Sequence, residues 1–148
     1  MNHNTLITLA LTLTLAGLAE AKSPKDGNGA VTISGELKTW HAVTLTQNGP
    51  WAKETDKSPN PFTDYSMFVT FMHESGTPVY TVPGYFAADG DAANTSSKEG
   101  NQWRAHLSPD KPGTWSYKVS FVSAKGAALN PARDDYLPPF HGVHGTFK

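Results

Sequence analysis

The segment WSYKVSF at residues 115–121 decides the fold class of this chain. Apolar or aromatic side chains stand at Trp115, Tyr117, Val119 and Phe121, and small or charged residues occupy the positions between them. Because successive side chains of a β-strand point to opposite faces, this alternation predicts a strand with one buried and one exposed face. A strand of that kind belongs to an antiparallel sheet that covers a core on one side.

Six other segments carry strand-like patterns, and clusters of Gly, Pro, Asn and Asp separate them. We expect Asn48-Gly49-Pro50 to end the second of these strands and Pro83-Gly84 to end the fourth. About seven short strands at this spacing predict an all-β fold, an immunoglobulin-like antiparallel β-sandwich. The six further candidate strands are residues 31–34, 37–46, 67–71, 79–82, 103–107 and 144–148.

The same alternation predicts which side chains fill the sandwich and which segments connect its strands. Residues 51–64, 87–100 and 123–141 lack the alternation, so we expect loops there, and loops on a rigid scaffold are where function is usually placed. The predicted core residues are Val43, Leu45, Val69, Phe71, Trp103, Trp115, Tyr117, Val119 and Phe121.

The N-terminal residues have the pattern of a signal peptide. An apolar run from Leu6 to Leu18 is followed by Ala19-Glu20-Ala21, a cleavage pattern. The run is short for a membrane span, and the alternative interpretation is a buried N-terminal helix. We predict a signal peptide at residues 1–21, a flexible lead at 22–30 and one sandwich domain at 31–148. The mature protein is then secreted or periplasmic, with no membrane association after cleavage.

Composition restricts the class of partner. The chain has 148 residues, a length that fits one domain with its own core, and it contains no cysteine. Its 12 basic and 13 acidic residues give a net charge of −1. Because there is no basic stripe, we expect no nucleic-acid partner.

One acidic segment is a weak candidate for a metal site. Asp89-Gly90-Asp91 has the alternating carboxylates with which a calcium loop begins. Ala93 stands at the next alternate position and Gly100 stands where an EF-hand needs Glu, so the calcium pattern fails. We interpret the segment as a turn whose carboxylates accept backbone N–H bonds, and we predict no cofactor.

Three carboxylates lie in the loop at residues 51–64 beside aromatic side chains. A glycosidase uses two carboxyl groups around a sugar. The candidates for such a pair are therefore Glu54, Asp56 and Asp64. Spacing along the chain does not put them at the required separation, and Asp64 follows Pro61-Phe62-Thr63 as a turn or cap residue would. We expect the chain alone to be no enzyme, and we assign no catalytic residue.

Four aromatic residues are candidates for contact with a partner. Trp51, Phe62, Tyr65 and Tyr85 lie in or beside predicted loops, where the strand pattern does not require them. Flat aromatic faces suit both protein interfaces and sugar rings. The alternative is that they plug the end of the sandwich, and the sequence leaves both possibilities open.

Four stretches together resemble a known family. They share aromatic residues set among Pro, Gly and Asp turns, and they are Asn60–Tyr65, Val82–Asp91, Trp103-Arg104 and Pro112–Tyr117. The chain resembles, from about Val31 to Phe147, an immunoglobulin-like module classed as a domain of unknown function. That module is found at the N-terminus of proteins regarded as secreted bacterial glycoside hydrolases.

The resemblance implies a role that the residues alone do not. In that family the module precedes a catalytic (β/α)8 barrel, which carries the catalytic acids, and a strand like Gly145-Thr146-Phe147 leads into it. The implied role is a non-catalytic accessory module that packs against or orients a glycoside hydrolase barrel, in cis or in trans. The alternative is a carbohydrate-binding module that holds a polysaccharide with its loop aromatics. Whether this chain is truncated before a catalytic module or stands free is left open.

Overall fold

The computed structural model describes residues 25–130 and 134–148. The predicted signal peptide lies outside these ranges. Almost all regular structure in them is strand: β1 (Val31–Gly35), β2 (Val43–Lys53), β3 (Tyr65–His73), β4 (Val79–Pro83), β5 (Tyr85–Phe86), β6 (Glu99–Leu107), β7 (Trp115–Ser123) and β8 (His144–Phe147). A four-residue helix α1 (Ala92–Thr95) and a 3-10 helix (Ala127–Leu129) complete the elements. Within the described part of the chain, no helix is long and apolar enough to cross a bilayer.

The strands form two antiparallel sheets with an immunoglobulin-like connectivity. One sheet has the order β1-β2-β6-β5 and the other has the order β4-β3-β7-β8. Lettered in chain order, these are the A-B-E-D and C′-C-F-G sheets of an immunoglobulin-type sandwich. The predicted fold class is therefore confirmed, with eight strands among the described residues where about seven were expected.

The core lies between the inner faces of the two sheets. Leu45 of β2, Val69 and Phe71 of β3 and Val119 of β7 have no solvent exposure at all. Every residue of the predicted core is buried except Tyr117, which is partly buried and packs against the others. The alternation in the sequence thus identified the face of each sheet that turns inward.

The second strand begins and ends later than predicted. Leu37 and Trp40 have φ angles of 49° and 64°, which belong to the left-handed region and not to a strand, so β2 starts only at Val43. At its other end the expected turn at Asn48-Gly49-Pro50 is a bulge, where the pairing with β6 shifts between Asn48 and Ala52. The strand then continues to Lys53.

The short strand β5 was not predicted, because Pro83-Gly84 was expected to end the fourth strand and the next two residues were not assigned to another. The chain instead changes sheets at Gly84, whose N–H donates to the Met67 carbonyl at 2.8 Å. A Cβ at this position would lie 2.6 Å from the Met67 sulfur. Glycine therefore allows the close crossing from β4 to β5, after which Tyr85 pairs with Arg104 of β6.

Part of the predicted flexible lead is paired with the sheet. The N–H groups of Gly27 and Gly29 donate to the carbonyls of Gly49 and Asn48 at 2.7 and 2.8 Å, and the Asn48 N–H donates to the Ala30 carbonyl at 2.8 Å. Residues 27–30 therefore extend the hydrogen bonding of β1 along β2.

Candidate functional site

The four candidate aromatics do not form one cluster, and Tyr65 is not in a loop. Tyr65 is the first residue of β3 and only 9% exposed. Its ring packs edge-on against Trp103 and Phe121, with centroid distances of 5.2 and 6.1 Å. A contact role for Tyr65 stays a prediction, and its ring belongs to the core, as in the alternative that these aromatics plug the sandwich. Period two counted backwards from Met67 would have placed it there.

Of the four candidates, Phe62 and Tyr85 are exposed, and both line one depression of about 190 Å³. Their side chains are 56% and 47% exposed. We call this hollow the Phe62 depression. It lies where the crossing from β4 to β5 passes the loop before β3. Its apolar lining includes Pro61, Phe62, Tyr65, Phe68, Pro83 and Tyr85.

Asp64 fixes the loop that carries Phe62. Its Oδ2 accepts the Asn60 N–H at 2.9 Å, and its Oδ1 accepts the Gly126 N–H at 3.0 Å and the Thr63 hydroxyl at 3.1 Å. The carboxylate thereby joins this loop to the segment that leads into the 3-10 helix. Phe62 also packs edge-on against buried Phe86 at 6.4 Å. The exposed ring is therefore presented from a loop with many fixed contacts.

The same contacts make Asp64 unsuitable as a catalytic acid. The backbone hydrogen bond from Asn60, followed by the one from Gly126, holds the pKa of the Asp64 carboxyl below its ordinary value. A glycosidase acid needs a raised pKa so that it carries a proton near neutral pH. Asp64 acts here as the turn and cap residue that the sequence indicated.

Tyr85 also lines a second depression of about 330 Å³, which we call the Arg104 depression. Its charged lining residues are Glu54, Asp91 and Arg104, and its aromatic ones are exposed Tyr85 and buried Phe86. The Tyr85 ring stacks on His106 at 5.7 Å, and the tyrosine Oη and His106 Nε2 are 3.0 Å apart. The sequence placed Arg104 and His106 on the face opposite Trp103, but the register that brings Tyr85 beside Arg104 was missed together with β5.

Trp51 lies apart from both depressions. It is partly buried near the end of β2, so its predicted position in a loop is corrected. The ammonium groups of Lys25 and Lys53 lie 4.3 and 5.2 Å from its ring centroid. Both ammonium groups are within the distance of a cation–π contact with the Trp51 ring, and a contact of Trp51 with a sugar or partner stays a prediction.

The acidic segment forms a turn, as interpreted from the sequence. Asp89 accepts the Asp91 N–H at 2.9 Å and the Thr95 hydroxyl at 2.6 Å. These bonds, the Thr95 bond first, lower the pKa of the Asp89 carboxyl. Asp91 Oδ1 accepts the Asn94 side-chain amide at 2.7 Å. Among the described residues, no group of three or more His, Cys, Asp or Glu side chains is arranged to hold a metal ion.

Comparison with known proteins identifies a family and no individual relative. The model of a family described as "Domain of unknown function (DUF5060)" matches residues 36–122. The match runs from before β2 to Val122 of β7, and it includes Phe62, Tyr85, Arg104 and the turn at Asp89. Searches of curated proteins and of solved structures found no match.

Proposed function

The chain belongs to the domain-of-unknown-function family DUF5060, and from this premise we propose that it is a non-catalytic accessory module. It serves a secreted or periplasmic bacterial glycoside hydrolase that degrades polysaccharides. Its task is to pack against the catalytic (β/α)8 barrel, in cis or in trans, and to orient it toward the substrate. The link to glycoside hydrolases rests on the sequence resemblance described above.

The observation that carries the proposal is the pair of exposed aromatics at the Phe62 depression. Contact residues that dominate binding are enriched in aromatics that fill or flank a pocket. Phe62 and Tyr85 flank such a hollow, and Asp64 fixes the loop beside it. A preorganised contact loses little conformational entropy when a partner docks.

Polysaccharide binding is the second candidate function, and the Arg104 depression favours it. An aromatic ring, a guanidinium and two carboxylates line this hollow. Those are groups that stack on sugar rings and hydrogen bond to hydroxyls. An accessory module can perform both tasks with its two depressions.

The test begins with the gene and its neighbours. We expect a (β/α)8 hydrolase domain to be encoded in the same frame or beside it. That domain and the present chain are then produced separately, and their dissociation constant is measured by calorimetry. Phe62→Ala should weaken association by about tenfold or more, the loss expected for a contact worth over 1.4 kcal/mol. Arg104→Lys is the matched control and should leave association unchanged.

Either of two results would overturn the accessory role. The first is the absence of any hydrolase domain from the gene and its neighbourhood. The second is a hydrolase domain that does not bind the chain and whose activity on polysaccharide is the same with and without the chain.

A further inference from the structure

We propose that the outer face of the β1-β2-β6-β5 sheet carries a subsite for a neutral saccharide, centred on Arg104 and Tyr85. This inference rests on the second candidate function above, and it names the site and the ligand class. Its test is separate from that of packing against a barrel, because Arg104 does not line the Phe62 depression and Phe62 does not line the Arg104 depression.

The register of the sheet aligns polar side chains across its outer face. Thr32 pairs with Thr46, Thr46 with Arg104, and Arg104 with Tyr85, so one row crosses all four strands. A second row brings Ser34 beside Thr44 and Thr44 beside His106. The first row ends at Tyr85 of β5 and the second ends at His106 of β6, and both side chains are planar. The face therefore offers hydroxyl groups leading to a stacked tyrosine and histidine.

Arg104 is positioned to donate hydrogen bonds to a ligand in the Arg104 depression. Its Nε donates to the Thr46 hydroxyl at 3.2 Å, which fixes the side chain along the row. Gly90, at φ 85°, is so close that a Cβ there would lie 3.2 Å from Arg104 Nη2. The glycine thus makes room for the end of the guanidinium. A guanidinium has five N–H donors in a planar fork, and such a fork can bind two neighbouring hydroxyl groups of a sugar.

The other lining groups select the charge of the ligand. Glu54 and Asp91 are both exposed at the Arg104 depression. Two carboxylates against one guanidinium disfavour an anionic glycan, whereas carboxylate oxygens accept hydrogen bonds from neutral hydroxyls. The volume of about 330 Å³ lies near the lower end of the roughly 300–1,000 Å³ of small-molecule sites. The ligand class that fits is therefore a neutral saccharide, with Tyr85 as its stacking platform.

The experiment measures retardation of the folded protein in native gels that contain one polysaccharide each. Four probes are neutral, namely laminarin, xyloglucan, galactomannan and agarose, and alginate is the anionic comparison. We expect retardation by at least one neutral probe and none by alginate. Tyr85→Ala and Arg104→Lys should each weaken the apparent affinity by about tenfold, the effect of losing a central contact.

Two control variants test whether binding depends on the Tyr85 ring and on the Arg104 depression alone. Tyr85→Phe keeps the ring and should retain binding. Phe62→Ala removes a ring that does not line the Arg104 depression and should also retain binding. Thermal unfolding of every variant verifies that the proteins compared are folded. If Tyr85→Ala is unfolded, Arg104→Lys and Tyr85→Phe still decide the matter.

The subsite proposal is wrong if no neutral probe retards the protein, if alginate alone does, or if Arg104→Lys binds like the unchanged protein. None of these results bears on association with a barrel, which Phe62→Ala tests separately. Loss of neutral binding in Arg104→Lys together with retained binding in Tyr85→Phe supports the subsite.

Discussion

Trp115 and Trp40 are the same residue type with opposite environments. Trp115 is 1% exposed, stacks on Tyr80 at 6.0 Å and donates its indole N–H to the Lys111 carbonyl at 3.0 Å. Trp115→Ala should therefore lower the free energy of unfolding by about 3–5 kcal/mol, as truncation of a buried aromatic does. Urea unfolding measures this loss. Trp40 is 73% exposed, so Trp40→Ala is the matched control and should change stability by less than about 0.5 kcal/mol. Equal losses in the two variants would contradict the assignment of Trp115 to the core.

The Asp64 carboxylate should make the stability of the fold depend on pH. Its pKa is lowered in the folded state from an ordinary value of 3.8, because N–H donors stabilise the ionised form. The stabilisation is fully present above the unfolded pKa and is lost as the pH falls through the folded pKa. Unfolding in urea should show that Asp64→Asn is less stable than the unchanged protein at pH 7. The difference should shrink as the pH falls below 3.8, because the unfolded chain takes up the proton there, and it is lost once the native carboxyl is protonated as well. A difference that stays constant down to pH 2 would contradict this role of Asp64.

The bulge in strand β2 is built around Trp103. The Trp103 indole N–H donates to the Pro50 carbonyl at 2.9 Å, and a Cβ on Gly49 would lie 2.4 Å from Cδ1 of the same ring. Gly49→Ala should therefore push the ring or the strand aside and cost about 1–3 kcal/mol, the usual penalty for overpacking. Urea unfolding measures the cost. Thr32→Ala, an exposed change on β1, should have little effect. If Gly49→Ala unfolds at the same urea concentration as the unchanged protein, the bulge accommodates the added methyl group and this prediction is wrong.

The same bulge shows where prediction of the elements from sequence reaches its limit. Alternation is a local signal, so β7 and the apolar set from Met67 to Phe71 could be predicted from neighbouring residues alone. Asn48-Gly49-Pro50 has the local chemistry of a turn. Its conversion into a bulge depends on Trp103, more than fifty residues later in the sequence. The crossing at Gly84 likewise depends on its contact with Met67. Neither contact is visible in a local pattern.

At the scale of the whole molecule, pairing between distant strands decides which predicted site residues meet. Phe62 and Tyr85 were predicted individually as contact residues, and the folded chain brings both to the Phe62 depression. The Arg104 depression could not be predicted, because it needs the pairing of β5 with β6 and the position of the loop at Gly90. Composition and alternation identify side chains that are available for contact with a partner, whereas sheet order determines which side chains lie next to one another.

We expect the purified chain to have no glycosidase activity of its own. A glycosidase needs two carboxyl groups about 5–10 Å apart around the sugar, one of them with a raised pKa. Hydrogen bonds hold the pKa values of Asp64, Glu74 and Asp89 below their ordinary values, and both Asp64 oxygens already accept backbone N–H bonds, from Asn60 and Gly126. Residues 22–148, incubated with algal and plant polysaccharides, should therefore release no reducing ends above the buffer control. A laminarinase preparation is the positive control, and Glu54→Gln and Asp64→Asn are prepared in parallel. Activity that persists through purification and disappears in either variant would make this sandwich an enzyme and end the accessory proposal.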